Sequence, residues 1–172
     1  DFARETPSER SDDIDVNEVV LKAVGLVSNL IKKSTNDFAV DYTPNPPVFK
    51  GSAQRIEQVV INLVMNACQA LSDSKKAVRV RTGRDPDEAW VFVEVQDEGI
   101  GLAPEVMQRI KDPFFTTKRD TGGTGLGLAI SDRIVRDHEG KMTFISEQGR
   151  GTTVRVYFPV SANERQKVRR DE

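Results

Sequence analysis

Four short segments carry side chains and turns suited to phosphate and base chemistry. In chain order they are Asn62-Leu63-Val64-Met65-Asn66, Asp97-Glu98-Gly99-Ile100-Gly101, Pro113-Phe114-Phe115-Thr116-Thr117-Lys118 and Gly122-Gly123-Thr124-Gly125-Leu126-Gly127-Leu128. The first offers two amides one helical turn apart, which can complete a magnesium shell already holding phosphate oxygens and water. The second sets a carboxylate beside a glycine turn, where backbone can approach a flat ligand and the carboxylate can accept from an exocyclic amine. The third is a basic loop. The fourth is a glycine run opening a helix, whose N–H groups and N-terminus favour phosphate. Together they describe a site for Mg-ATP. Taken singly, each has a plainer reading: satisfied amides on a polar helix face, a turn aspartate, a flexible loop before a helix, and Lys118 with Arg119 as a solvated pair.

The elements that must position these segments can be read from periodicity. Asp15 with Glu18 forms a capping-box pattern, and Val20, Val24, Val27 and Ile31 recur behind it as the apolar stripe of a first helix. Phe38, Val40 and Tyr42 alternate as a half-buried strand, broken by the Pro-rich stretch 43–47, and Ser52 caps a long helix reaching about Ser72. On that helix Ile56, Val60, Leu63, Ala67 and Ala70 should face a sheet, with Asn62, Asn66 and Gln69 as a stripe beside them. Val78–Thr82 and Ala89–Gln96 predict an antiparallel hairpin turning at 83–87. A short helix near 104–110 and a loop to Gly123 precede a helix ending near His138, with Gly140 as its C-cap. Lys141–Glu147 and Thr152–Pro159 form a second hairpin. Paired strands without strict βαβ alternation predict an α/β two-layer sandwich, with an antiparallel or mixed sheet.

Composition narrows the class. A length of 172 residues suits one domain burying its own core, with 1–14 a linker remnant, 15–160 the folded body and 161–172 a frayed tail. A net charge of -2, with no run of Lys and Arg longer than two, gives no electrostatic reason to expect nucleic acid or membrane contact. Cys68 is the lone cysteine, so it forms no internal disulfide, and its apolar helical setting predicts an inert buried thiol in a reducing compartment. No apolar run reaches the roughly 18 residues that cross a bilayer, and the start at Asp1 predicts an excised piece of a longer protein.

These four segments, in this order and spacing, closely resemble the catalytic and ATP-binding domain of bacterial two-component sensor histidine kinases. That domain shares a superfamily with the gyrase, mismatch-repair and heat-shock chaperone ATPases. The resemblance covers about residues 15–160 and implies the Bergerat fold: a mixed, mostly antiparallel sheet covered by helices on one face. Gln58 to Ala67 is similar to the family's asparagine box, Asp97 to Gly101 to its first glycine box, Pro113 to Lys118 to its phenylalanine box, and Gly123 to Leu128 to its second glycine box. The resemblance implies that Asn66 ligates Mg²⁺, Asn62 sits near the phosphates and Asp97 accepts from the adenine amine beside Gly99 and Gly101. It also implies that Thr116, Thr117, Lys118, Gly123, Thr124, Gly125, Leu126, Gly127 and Leu128 form the lid. Gly149 to Thr153 matches the family's last glycine-threonine turn and brings Thr152 or Thr153 near the base. Gln69 stands where many members carry Lys or Arg, which shifts the cationic role to Lys118. Lys111 replaces a usual aromatic residue. The short lid resembles the nitrogen-regulation branch.

Two functions compete once ATP is granted: phosphoryl transfer to a protein, or an ATP-gated module or ATPase like the superfamily relatives. Those relatives carry a glutamate at the position of Asn62 as general base on water; an amide cannot take a proton, so hydrolysis should be slow and the γ-phosphoryl kept for a protein nucleophile. The resemblance implies a phosphoacceptor histidine on a separate dimerising helical hairpin preceding Asp1, and a response-regulator receiver domain beyond it. His138, the only histidine, has the position of a helix C-terminal or packing residue. The resemblance further implies a monomeric fragment of a homodimeric parent, placed in the cytoplasm whether or not that parent is membrane-anchored.

Overall fold

β-branched and aromatic residues alternating between Val78 and Asp97 build the centre of a five-stranded sheet. The computed structural model describes residues 11–85, 87, 89–103 and 127–161. Its elements run β1 (Asp12–Ile14), α1 (Val16–Leu26), α2 (Ser28–Ser34), β2 (Phe38–Asp41), β3 (Phe49–Gly51), α3 (Ala53–Ala70), β4 (Val78–Asp85) and β5 (Trp90–Asp97). They continue with α4 (Gly127–Asp137), β6 (Lys141–Glu147) and β7 (Gly151–Pro159). The large sheet has the order β2-β4-β5-β7-β6. β2 lies parallel to β4, and the remaining pairs are antiparallel. The parallel pair is joined by a crossover containing α3, as a parallel connection requires. The expected two-layer sandwich with a mixed, mostly antiparallel sheet is what forms.

One face of the sheet packs on helices. Val78, Val80, Val91, Val93, Val95, Val156 and Phe158 join Val16, Val20, Ile56, Val59, Val60, Leu63 and Val64 in a single core. The opposite face is polar and aromatic. Glu94 takes hydrogen bonds from Arg81 and Arg155, and the Arg155 guanidinium lies 3.9 Å above the Phe92 ring. These two arginines hold the Glu94 carboxyl below its ordinary range against the opposing effect of burial. α3 starts where Ser52 Oγ accepts from the Arg55 N–H at 3.3 Å, the predicted cap.

Four local expectations change. The first helix is broken at Val27, whose N–H reaches the carbonyls of both Ala23 and Val24; Gly25 and the β-branched Val24 and Val27 are poor helix formers, so the ladder tightens there. β1 and β3 pair with each other, Asp12 opposite Gly51 and Ile14 opposite Phe49, so the ordered body includes Asp12–Ile14. Strand β4 runs on through Gly83 to Asp85, where a turn was expected, because Gly83 leaves room for the Phe92 ring across the ladder. At the end of α4 the left-handed residue is Glu139, with φ 60°, rather than Gly140. The Gly140 N–H closes the helix onto Val135 O at 2.9 Å. A glycine is needed at 140 because a Cβ would strike the Tyr157 carbonyl.

The described chain leaves the sheet beside β3: the Val160 N–H donates to Ala89 O and the Ser161 N–H to Val48 O. Phe49 of β3 and Phe158 of β7 are both fully buried and stack at 4.7 Å with an interplanar angle of 4°. Phe158→Ala should therefore cost about 3–5 kcal/mol of unfolding free energy in urea titrations; a loss under about 1 kcal/mol would show that this stack does not hold β3 to the body.

Candidate functional site

Asp97 is the last residue of β5 and is buried, 7% exposed. Its Oδ1 accepts from the Gly99 N–H at 2.8 Å, an Asx-type turn that fixes the carboxylate at the strand end. Glu98 secures the same turn: its N–H donates to Ala77 O at 3.0 Å and its Oε1 accepts from the Ala77 N–H at 2.7 Å. Gly99 then passes against α3, where a Cβ would collide with Ala70. The Ile100 N–H donates to Ala70 O at 3.1 Å, so the turn is tied to the C-terminal end of α3.

Gly101 has φ +70° and lies against the Glu147 backbone; Gly151, at φ +118°, lies against the Asp97 carbonyl. Both positions combine a left-handed backbone with close approach, which together require glycine. Thr152 stands opposite Asp97 in the β5–β7 ladder. Ser146 Oγ joins the pieces, accepting from the Leu102 N–H at 2.8 Å, donating to Gly151 O at 3.2 Å, and lying 2.8 Å from Thr152 Oγ1. Asp97, Gly99, Gly101 and Thr152 are thus brought to one corner at the C-terminal end of α3. Ser146 was missed by sequence reasoning. Its signal is a hydroxyl on the inward face of β6, in register with apolar Met142 and Phe144.

The amide stripe lies along the same helix. Asn62 and Asn66 are half-buried and Gln69 is exposed. Asn62 turns toward α4, with Nδ2 donating to Gly127 O at 3.3 Å and to Ser131 Oγ at 3.1 Å, while Oδ1 accepts from Gln58 Nε2 at 2.9 Å. Gly127 and Leu128 therefore sit in the first turn of α4 against α3, and Leu128 packs on the core. Thr116, Thr117, Lys118, Gly123, Thr124, Gly125 and Leu126 lie outside the described residues.

Two further groups bear on the chemistry. Cys68 is a buried free thiol; burial raises its pKa, and the neighbouring Asp97 charge adds to that. It is inert at neutral pH. His138 accepts the Ser52 N–H on Nε2 at 3.1 Å, and its Nδ1 lies 2.8 Å from Ile134 O, which makes Nδ1–H the donor there. The ring also packs edge-on against Phe158. Both nitrogens are occupied at the N-terminal end of α3, 18 residues of helix from the Asp97 corner. Burial lowers the His138 pKa, favouring the neutral ring. It serves as a packing and capping group.

The carboxylate in its glycine-lined corner is thus tied to the helix that carries the amide stripe, α3. The signature of the histidine kinase-, DNA gyrase B-, and HSP90-like ATPases matches residues 51–162. The chain belongs to that family. The chain is 33% identical over 151 residues to a putative sensor protein of Shewanella frigidimarina, covering 88% of the chain and 22% of that relative. It is 31% identical over 155 residues to the signal transduction histidine-protein kinase AtoS of Escherichia coli, covering 90% of the chain and 25% of the relative. Against the catalytic domain of histidine kinase ThkA the TM-score is 0.76 at 29% identity, covering 90% of this chain and 99% of that one. The chain thus spans about a quarter of these curated relatives' length and nearly all of an isolated kinase catalytic domain. Among the described residues no helix is long and apolar enough to cross a membrane.

Asp97→Asn should weaken ADP binding by about 1.5–3 kcal/mol in calorimetry, because a buried charged acceptor becomes an amide that can present either end. Equal affinity would remove Asp97 from the base pocket. The lowered His138 pKa sets a second expectation. The unfolded chain takes up the proton first, so the stability from the neutral ring is complete above about pH 6.5 and is lost as pH falls through the lowered folded pKa. Thermal melting between pH 8 and pH 5 should show this decline in the wild type and less of it in His138→Gln; identical profiles would rule out His138 as its source.

Proposed function

We propose that this domain binds Mg-ATP and donates the γ-phosphoryl to a histidine on a dimerising helical hairpin of the same parent protein, for relay to a response-regulator receiver domain. The observation that carries the reading is the Asp97 corner: a buried carboxylate, three glycine close approaches and Thr152, in a turn tied to the helix that bears Asn62 and Asn66. In this reading Asp97 accepts from the adenine amine, while Gly99 and Gly101 let the backbone lie against the base with Thr152 beside it. Asn66 supplies one uncharged oxygen to magnesium, a donor type that fits a small cation whose other ligands are phosphate oxygens and water. Magnesium neutralises phosphate charge when bound. Lys118, Thr116, Thr117 and the Gly123–Leu128 run provide cationic and N–H contacts to the phosphates, and Gln69 borders them.

Asn62 supplies no proton acceptor, so water is not activated there and the phosphoryl group is retained for the partner's histidine. His138, with both ring nitrogens occupied, does not compete for it. The parent is expected to act as a homodimer, with this domain on the cytoplasmic side.

Incubation of the domain with γ-labelled Mg-ATP and a separately supplied hairpin domain tests the reading. Acid-labile label should appear on the hairpin histidine and not on His138, and fusing the two domains should raise the rate through effective concentration. Asn66→Ala should reduce transfer by at least about a hundredfold while changing ADP affinity far less, since the metal acts at the phosphates. Nucleotide binding without transfer to any hairpin would instead favour an ATP-responsive interaction module, and rapid hydrolysis by the domain alone would favour an ATPase.

A further inference from the structure

A carboxamide is two-faced, and the end drawn into a protein seam decides which end is shown outside it. At Asn62 the seam lies between α3 and α4. Gly127 contributes a carbonyl, which only accepts, so it admits the NH₂ end of the amide at 3.3 Å. The second amide hydrogen meets Ser131 Oγ at 3.1 Å, and Ser131 is fully buried. The oxygen end points the other way, toward Gln58 Nε2 on the exposed side of α3. A flipped amide would set Oδ1 against the Gly127 carbonyl, two acceptors facing each other, and would leave the Gln58 donor opposed by NH₂. A Cβ built at Gly127 would lie 4.0 Å from the Asn62 carboxamide carbon, in ordinary contact, so the first turn of α4 stands directly against the amide.

We propose that Ser131 is a positioning residue for the phosphoryl-transfer site: its hydroxyl holds the Asn62 carboxamide with nitrogen in the α3–α4 seam and oxygen outward. The inference rests on the nucleotide site proposed above. Without that hydroxyl, the second Asn62 hydrogen loses its partner in the seam, and a donor left unsatisfied beside the fully buried position 131 drives the side chain to turn or the first turn of α4 to shift. Either movement changes what Asn62 presents. With oxygen outward, Asn62 suits a donor or a cation and repels a bare phosphate oxygen. The predicted phosphate-binding run leads into the same first turn of α4, so the bond also sets that turn against the helix carrying Asn66.

Ser131→Ala and Ser131→Thr in the full chain provide the test, read in two ways. In nitrogen-15 spectra the Asn62 side-chain NH₂ pair is the pair missing from Asn62→Ala. One of its two protons should move upfield and exchange faster with water in Ser131→Ala, and both should hold near their wild-type positions in Ser131→Thr, which keeps the hydroxyl. In the transfer assay Ser131→Ala should lower kcat about tenfold with ADP affinity within about twofold of wild type, and Ser131→Thr should recover most of the rate. Unchanged Asn62 resonances in Ser131→Ala overturn the proposal, even if kcat and ADP affinity fall together, since that pattern reports packing alone. A wild-type domain that transfers to no hairpin refutes the kinase reading, while the Asn62 resonances still decide whether Ser131 holds the amide.

Discussion

The rotational setting of α3 on the sheet is the constraint that the site inherits. Ile56, Val59, Val60, Leu63, Val64, Ala67 and Cys68 are all buried, so the helix has one way to lie against β5 and β7. Asn62 and Asn66 follow directly on that stripe. Turning the helix by one residue would take these amides into the core, where an unpartnered amide costs roughly 2–7 kcal/mol, and would bring buried valines to the surface. Hydrophobic burial and polar cost therefore fix the same angle, and that angle aims the amides along the seam with α4. The C-terminal end of α3 is set by the same seating, which is why Ala70 can receive the Ile100 N–H and hold the Asp97 turn.

That corner is built chiefly from backbone hydrogen bonds. Ile100 is bonded to α3 through its N–H and to Gly149 through its carbonyl, and Leu102 is bonded to Ser146. Three separate chain segments thus converge on the end of β5. A ligand held by a corner built this way has few side chains to order, which lowers the entropic cost of binding. The Asn62 region of α3 differs in kind: it is held by side-chain amides and by the junction with α4, where Asn62 bonds Gly127 and Ser131.

Much of this was legible in the sequence, for reasons that differ from place to place. α3 was readable because 18 residues sustain a helical period behind a serine cap, and β4–β5 and β6–β7 because β-branched residues alternate on both sides of turns. Asp97, Gly99, Gly101 and Thr152 were readable as residue types suited to a base pocket, and the fold brings them to one corner. β1 and β3 escaped because three residues carry no period; their stability comes from pairing and from Phe49 stacking on a strand far along the chain. Glu139 in the left-handed region escaped because Gly140, one residue on, is the better conformational candidate and is needed instead for room. Ser131 escaped because its partner is 69 positions away and one serine on a helix has no pattern.

The first and last described segments both fasten to β3: β1 by its ladder, Ser161 through the Val48 carbonyl. A pull delivered through Asp12 is received by this small ribbon, which meets the sheet through the stacked pair Phe49 and Phe158 near the N-terminal end of α3, whereas a pull through Ser161 also enters β7 directly along the chain. The Asp97 corner stands at the other end, about 27 Å along an 18-residue helix at the usual rise per residue. Both points of attachment therefore lie a full helix or a full strand away from the Asp97 turn.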